Sequence, residues 1–137
     1  MPTFKTTKEL DKYIKNCMSI ALRNTADILT DKLIEFIDID FYQKYDPVQY
    51  SRTDQLKDSP KFKMLSNSIV EIFIDTDSMN YKSATGDYVA MLASRGFHGN
   101  EYIFREGYFW EDFLKYCFAN TIHIYKSELR KLGLKVS

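Results

Sequence analysis

Between Thr3 and Asp46 the chain contains neither proline nor glycine. Over that stretch apolar residues recur at Leu10, Tyr13, Ile14, Cys17, Met18, Ala21, Leu22, Ile28, Leu29, Leu33, Phe36 and Ile37. Steps of three and four residues are those of a helix that buries one face, and no breaker is present to stop it. Thr6-Thr7-Lys8-Glu9 supplies a start: a threonine hydroxyl accepts a first-turn N–H, and a glutamate three residues on can reach back. The pattern predicts one long helix, weakest near Asn24-Thr25, that runs to Asp46-Pro47, where proline disfavours helix at the residue before it. Lys8, Asp11, Lys12, Lys15, Asn16, Arg23 and Asp31 fall on the opposite face and are expected in water.

Beyond Asp46-Pro47 the character changes. Asp54 to Asp58 reads as a short helical turn closed by Ser59-Pro60, and Ile69, Val70, Ile72, Phe73 and Ile74 are the β-branched and aromatic types that strands favour. Asn67-Ser68 before that run and Asp75-Thr76-Asp77-Ser78 after it are turn signals, so residues 61–66 and 69–75 are expected to form a hairpin. Asp87 to Ala93 reads as a short helix that stops at Arg95-Gly96. From Tyr108 the residues Phe109, Trp110, Phe113, Leu114, Tyr116, Cys117, Ile122, Ile124, Tyr125 and Leu129 suit a second long helix, ended by Gly133 with Arg130 and Lys131 in its last turn. The expected fold is α+β, two long helices packed on a small, mainly antiparallel sheet with a β hairpin, in a single domain over 1–137.

Charge narrows the function. Lys plus Arg and Asp plus Glu each number 19, so no net field draws nucleic acid or an anionic membrane. Lys57, Lys61, Lys63 and Lys82, with Phe62 and Tyr81 nearby, form the one basic-aromatic region, and Asp54 and Asp58 dilute it. No apolar run approaches the ~20 residues of a membrane helix, and the start lacks the charged and apolar regions of a signal peptide. Cys17 and Cys117 lack metal or redox spacing and read as packed thiols.

Candidate chemistry is sparse. Ile72-Phe73-Ile74-Asp75-Thr76-Asp77 is an apolar strand ending in D-x-D, which resembles the first motif of the haloacid-dehalogenase phosphotransferases. There a strand-tip carboxylate and a second acid would serve metal-dependent phosphoryl transfer. Asp75 and Asp77 are thus weak metal candidates, but that family's parallel sheet and its later motifs have no room here. Glu35, Asp38 and Asp40 add acids without ligand spacing. His98 and His123 have no partnered nucleophile, so no catalytic residue and no cofactor are assigned. His98, between glycines, is expected to hold its loop by hydrogen bonds.

One constellation is more specific. A long helix leads to Tyr45-Asp46-Pro47-Val48-Gln49-Tyr50-Ser51-Arg52-Thr53-Asp54-Gln55-Leu56-Lys57-Asp58-Ser59 and then a hairpin. This resembles the small neck or tail-completion proteins of tailed bacteriophages, with Arg52-Thr53, Leu56 and Ser59 in the order of their motif and Gly96-Phe97-His98-Gly99 where such proteins often carry a Gly- and His-containing loop. The run after the sheet, Tyr88 to Ser94, is only a loose counterpart of theirs. The resemblance implies a ring-forming virion subunit, made in the host bacterial cytoplasm, whose partners are copies of itself and other phage tail or connector proteins. Tyr50, Arg52, Phe62, Phe73, Phe97 and His98 are the expected contact residues, since exposed sheet edges and Tyr or Arg anchors suit that role. A regulatory inhibitor of another protein and a metal-dependent phosphoryl-transfer enzyme or nuclease are the competing expectations.

Overall fold

Helix α1 runs unbroken from Thr7 to Asp40, about 50 Å at 1.5 Å per residue. The computed structural model describes residues 2–45, 54–81, 84–98 and 103–137; Pro47, Tyr50, Arg52, Thr53, Lys82 and Gly99 lie outside them. Thr6 caps the helix by accepting the Glu9 N–H through its hydroxyl at 3.2 Å. Glu9 reaches back one residue further than a capping box requires and accepts from the Lys5 N–H. No break occurs at Asn24-Thr25; the Thr25 hydroxyl turns inward and donates to the Ala21 carbonyl at 2.7 Å. Thr30 does the same to Ala26. These bonds satisfy two hydroxyls that would otherwise be buried without partners.

The helix stops at Asp40, six residues short of the expected end, and a 3-10 turn follows over Tyr42–Lys44. The cause is tertiary. Gly107 crosses the end of α1 so closely that a Cβ there would lie 2.0 Å from the Asp40 carbonyl oxygen, and the next residue, Phe41, turns away to stack on His98 with ring centroids 4.3 Å apart.

The second long helix, here α3, spans Phe109–Lys131 and packs antiparallel along the C-terminal half of α1. Phe36 meets Tyr116 edge-on at 5.9 Å, and the Lys32 ammonium lies over the Tyr116 ring. Between the two come strands β1, Pro60–Met64, and β2, Val70–Ile74, paired antiparallel with Phe62 opposite Ile72, and a short helix α2, Gly86–Ser94, capped by the Thr85 hydroxyl. The hairpin and the turn before it form as expected: Asp58 N–H donates to the Asp54 carbonyl and the Ser59 hydroxyl to the Leu56 carbonyl. Gly96 at φ +90 and Gly133 at φ +91 end α2 and α3, in a left-handed conformation that glycine adopts without strain.

Leu29, Leu33 and Ile37 of α1 meet Leu56, Met79, Ala90, Ala93, Phe109 and Phe113 in the core. Ile72 and Ile74 pack onto it from the sheet. All of the apolar residues counted toward α3 from Phe109 on lie within it, but Leu114 and Ile122 among them are exposed. The helix carries more apolar residues than one face can hold.

Because Gly107 meets backbone and not a flexible side chain, Gly107→Ala must push α3 away from α1. Overpacking of this kind costs about 1–3 kcal/mol, and the expected outcome in urea unfolding is a lower midpoint with an unchanged slope.

Candidate assembly surface

The hairpin presents two faces and two edges. Pro60, Phe62, Met64, Val70, Ile72 and Ile74 alternate toward α1, whereas Lys61, Lys63 and Glu71 point away and are exposed. Phe73 shares that outer face, half-buried beneath the Lys63 ammonium, which lies 5.7 Å from its ring centre. Of the expected contact residues, Phe73 is thus on the outside and Phe62 on the side that α1 covers.

Hydrogen-bond parity identifies which backbone groups are free. Asp75 N–H donates to the Ser59 carbonyl at 2.8 Å and Leu65 N–H to the Ile69 carbonyl at 2.9 Å. Bonded and non-bonded pairs alternate in an antiparallel ladder, so 61/73 and 63/71 are bonded pairs, and the N–H and C=O of residues 62, 64, 70, 72 and 74 point outward from the hairpin. Among the described residues none of these groups bonds anything beyond the hairpin. Pro60, which has no N–H, sits at an outward position, where the sheet loses no internal bond.

The two edges carry opposite charge. Lys61 and Lys63 line β1; Glu71 lies on β2 and Asp75 just past its end. Lys61 pairs with Asp75 at 2.5 Å, and that ammonium holds the Asp75 carboxyl below its ordinary range. Lys57 pairs with Asp38 at 3.5 Å. The described lysines of the basic-aromatic region therefore each have an acid or a ring as partner, and the region is not a continuous basic face. The acids disperse likewise: Glu35 pairs with Lys32, Asp77 is exposed, and among the described residues no three His, Cys, Asp or Glu side chains are placed to hold a metal ion.

The motif segment is legible where it is described. Leu56 and Ser59 are both buried, at 1 % and 0 % exposure. They anchor the start of β1 to the core and so set where the hairpin stands. Phe97 bridges Phe104, their rings 5.4 Å apart. His98 is buried at 1 % exposure, its N–H donating to the Ile103 carbonyl and its ring flat against Phe41 and 5.2 Å from Tyr45. It fastens the loop to the end of α1 and is not a surface contact.

Beside that knot lies a carboxyl pair that sequence reasoning did not single out as a pair. Asp40, at the end of α1, faces Asp112 in the first turn of α3. Burial first, and then hydrogen bonding and repulsion from Asp112, push Asp40 up to about 6, against a smaller opposing pull from Lys44. The signal would have been the antiparallel register of the two helices, which no local pattern encodes.

Asp40 binds a proton in the folded protein up to about pH 6 but ionises near 3.8 when unfolded. Its contribution is complete below the lower value and is lost as pH rises through the upper one. Asp40→Asn cannot ionise and still offers an N–H to Asp112. Thermal unfolding should show the variant equal to wild type near pH 4 and several degrees more stable at pH 8.

A family model described as YomN matches residues 6–131. No curated protein and no solved structure matches the chain.

Proposed function

The chain belongs to the YomN family, a family of phage-encoded proteins, and from that premise we propose that it is a structural subunit of the virion, completing the tail top or joining it to the head as a ring. The observation that carries this reading is the hairpin with two open, oppositely charged edges. A two-stranded sheet with unpaired outward groups is a template for further strands.

If the β2 edge of one copy takes the β1 edge of the next, the added strand is antiparallel and the hairpin tips point the same way. With Ile72 opposite Phe62 of the neighbour, Glu71 falls beside the neighbour's Lys63. A shift of two residues keeps the same faces together and places Asp75 beside the neighbour's Lys61. In either register an acid meets a lysine. The contact joins two different surfaces, so it is head-to-tail and closes as a ring when the rotation per subunit permits. No side chain has to react, and the buried Leu56 and Ser59 fix the hairpin rigidly enough for such a contact to be specific.

Val70→Pro removes an outward N–H and puts a ring on the β2 edge, while leaving the hairpin's own bonds intact, since proline is tolerated at the first residue of an edge strand. Wild-type protein, alone or mixed with phage tail or connector proteins, should form a ring by light scattering. Val70→Pro should not, at unchanged circular dichroism. A wild-type protein that joins no ring under either condition would overturn the reading, and a defined one-to-one complex with a host protein would replace it by an inhibitor.

A further inference from the structure

Helix α3 has a second apolar face, directed away from α1. Phe118 is 95 % exposed, Ile122 61 % and Leu114 50 %. At 100° per residue these three fall within a narrow stripe, opposite Phe109, Phe113 and Tyr116 on the packed side. Glu111 and Tyr125 continue the stripe at its two ends. The spacing from Glu111 through Leu114, Phe118 and Ile122 to Tyr125 is three, four, four, three, which reads the same in both directions. The chemistry is matched about the same centre: an aliphatic residue on each side of Phe118, then a carboxylate at one end and a phenol at the other. Among the described residues neither Glu111 nor Tyr125 has a side-chain hydrogen bond or ion pair.

We propose that this face binds a second copy of the chain, its α3 antiparallel to the first, across a twofold axis at Phe118. The two Phe118 rings then meet each other, each Leu114 meets the partner's Ile122, and each Tyr125 hydroxyl donates to the partner's Glu111 carboxylate. A parallel pair would set Glu111 against Glu111 and leave each Tyr125 facing its own copy, so the charge pattern selects the antiparallel arrangement. Taking the 150–250 Å² that an aromatic ring can bury as a guide, the three apolar side chains offer roughly 350 Å² per copy. That is less than half of the ~800 Å² per partner of a standard stable interface, so the dimer is weak and concentration-dependent. The contact is separate from the hairpin edges and does not depend on the ring.

Sedimentation velocity over low to high micromolar concentration tests the pairing, in wild type and in Val70→Pro, where only the helix contact remains. Both should associate, and in the Val70→Pro background Phe118→Asp should weaken that association at least tenfold, with helicity and melting temperature unchanged, because Phe118, 95 % exposed, contributes almost no buried surface to its own protomer. Geometry is tested by oxidation in a Cys117→Ser background. Phe118→Cys should crosslink to itself. Leu114→Cys should not, because its own copy lies at the level of residue 122, about 12 Å along the axis, beyond the ~7 Å that a disulfide spans between Cα atoms. A mixture of Leu114→Cys and Ile122→Cys should crosslink. Self-crosslinking of Leu114→Cys as efficient as that of Phe118→Cys would overturn the twofold at Phe118, and association of Val70→Pro indifferent to Phe118→Asp would overturn the docking face. Loss of association in Val70→Pro alone would leave the ring standing and remove the helix pair.

Discussion

The contact on which the rest of the molecule depends is the one between the end of α1 and the start of α3. There the Gly107 backbone lies against the Asp40 carbonyl, with no room for a side chain between them. That approach sets the length of α1 and the antiparallel register of α3. It also brings Asp112 to Asp40 and Tyr116 to Phe36 and Lys32. Phe41, released from the helix, becomes a floor for His98, so the loop before α3 is fastened to the same point. The carboxyl pair is a consequence of this closeness. Two acids held together in a partly buried place favour the state in which one keeps its proton.

Helix α1 also carries the hairpin. Leu29, Leu33 and Ile37 present one apolar surface that both α3 and the strands use, and the tip of the hairpin reaches the first turns of α1. Asn67 there lines an open cleft of about 940 Å³ with Phe4, Tyr13 and Asn16. A two-stranded hairpin is at best marginal by itself in water. Packing on a rigid helix supplies its stability, and Leu56 and Ser59 fix its base; among the described residues no backbone hydrogen bond from outside the hairpin reaches either edge.

Much of this is legible in the residues. The absence of Pro and Gly between Thr3 and Asp46 specifies α1, Thr6 marks its start, and the β-branched run from Ile69 with its flanking turns specifies the hairpin to within one or two residues. What local pattern cannot supply is the identity of a neighbour. Helix α1 ends at Asp40 because of Gly107, some sixty-odd positions on. The lysines near the hairpin lose their apparent basic character to Asp38, Asp75 and Phe73, which the fold, not the spacing, brings near. On α3 the period was visible but not its meaning: Leu114 and Ile122 count toward a helix whichever face they occupy. Only the position of α1 shows that they and Phe118 point outward. His98 was legible as a loop anchor but not as a buried one, and Tyr50 and Arg52, the anchors that the phage resemblance implies, lie outside the described residues.

The two surfaces proposed for assembly differ in kind, and the difference has a consequence for the assembly they build. The hairpin contact joins the β2 edge to the β1 edge, so it propagates in one direction and is satisfied only by closure into a ring. The α3 contact joins a surface to itself, so it is satisfied by two copies. Combining a closed ring with a twofold pairing gives dihedral symmetry, with two rings back to back. A ring whose α3 faces are so covered is self-limiting. A ring seated on another virion component through those same faces is not, because each Phe118 then has a foreign partner. On these two proposals a weak helix pair would let one subunit serve both states, since an apolar stripe too small for a permanent dimer would be masked in the free protein and would yield to a larger surface.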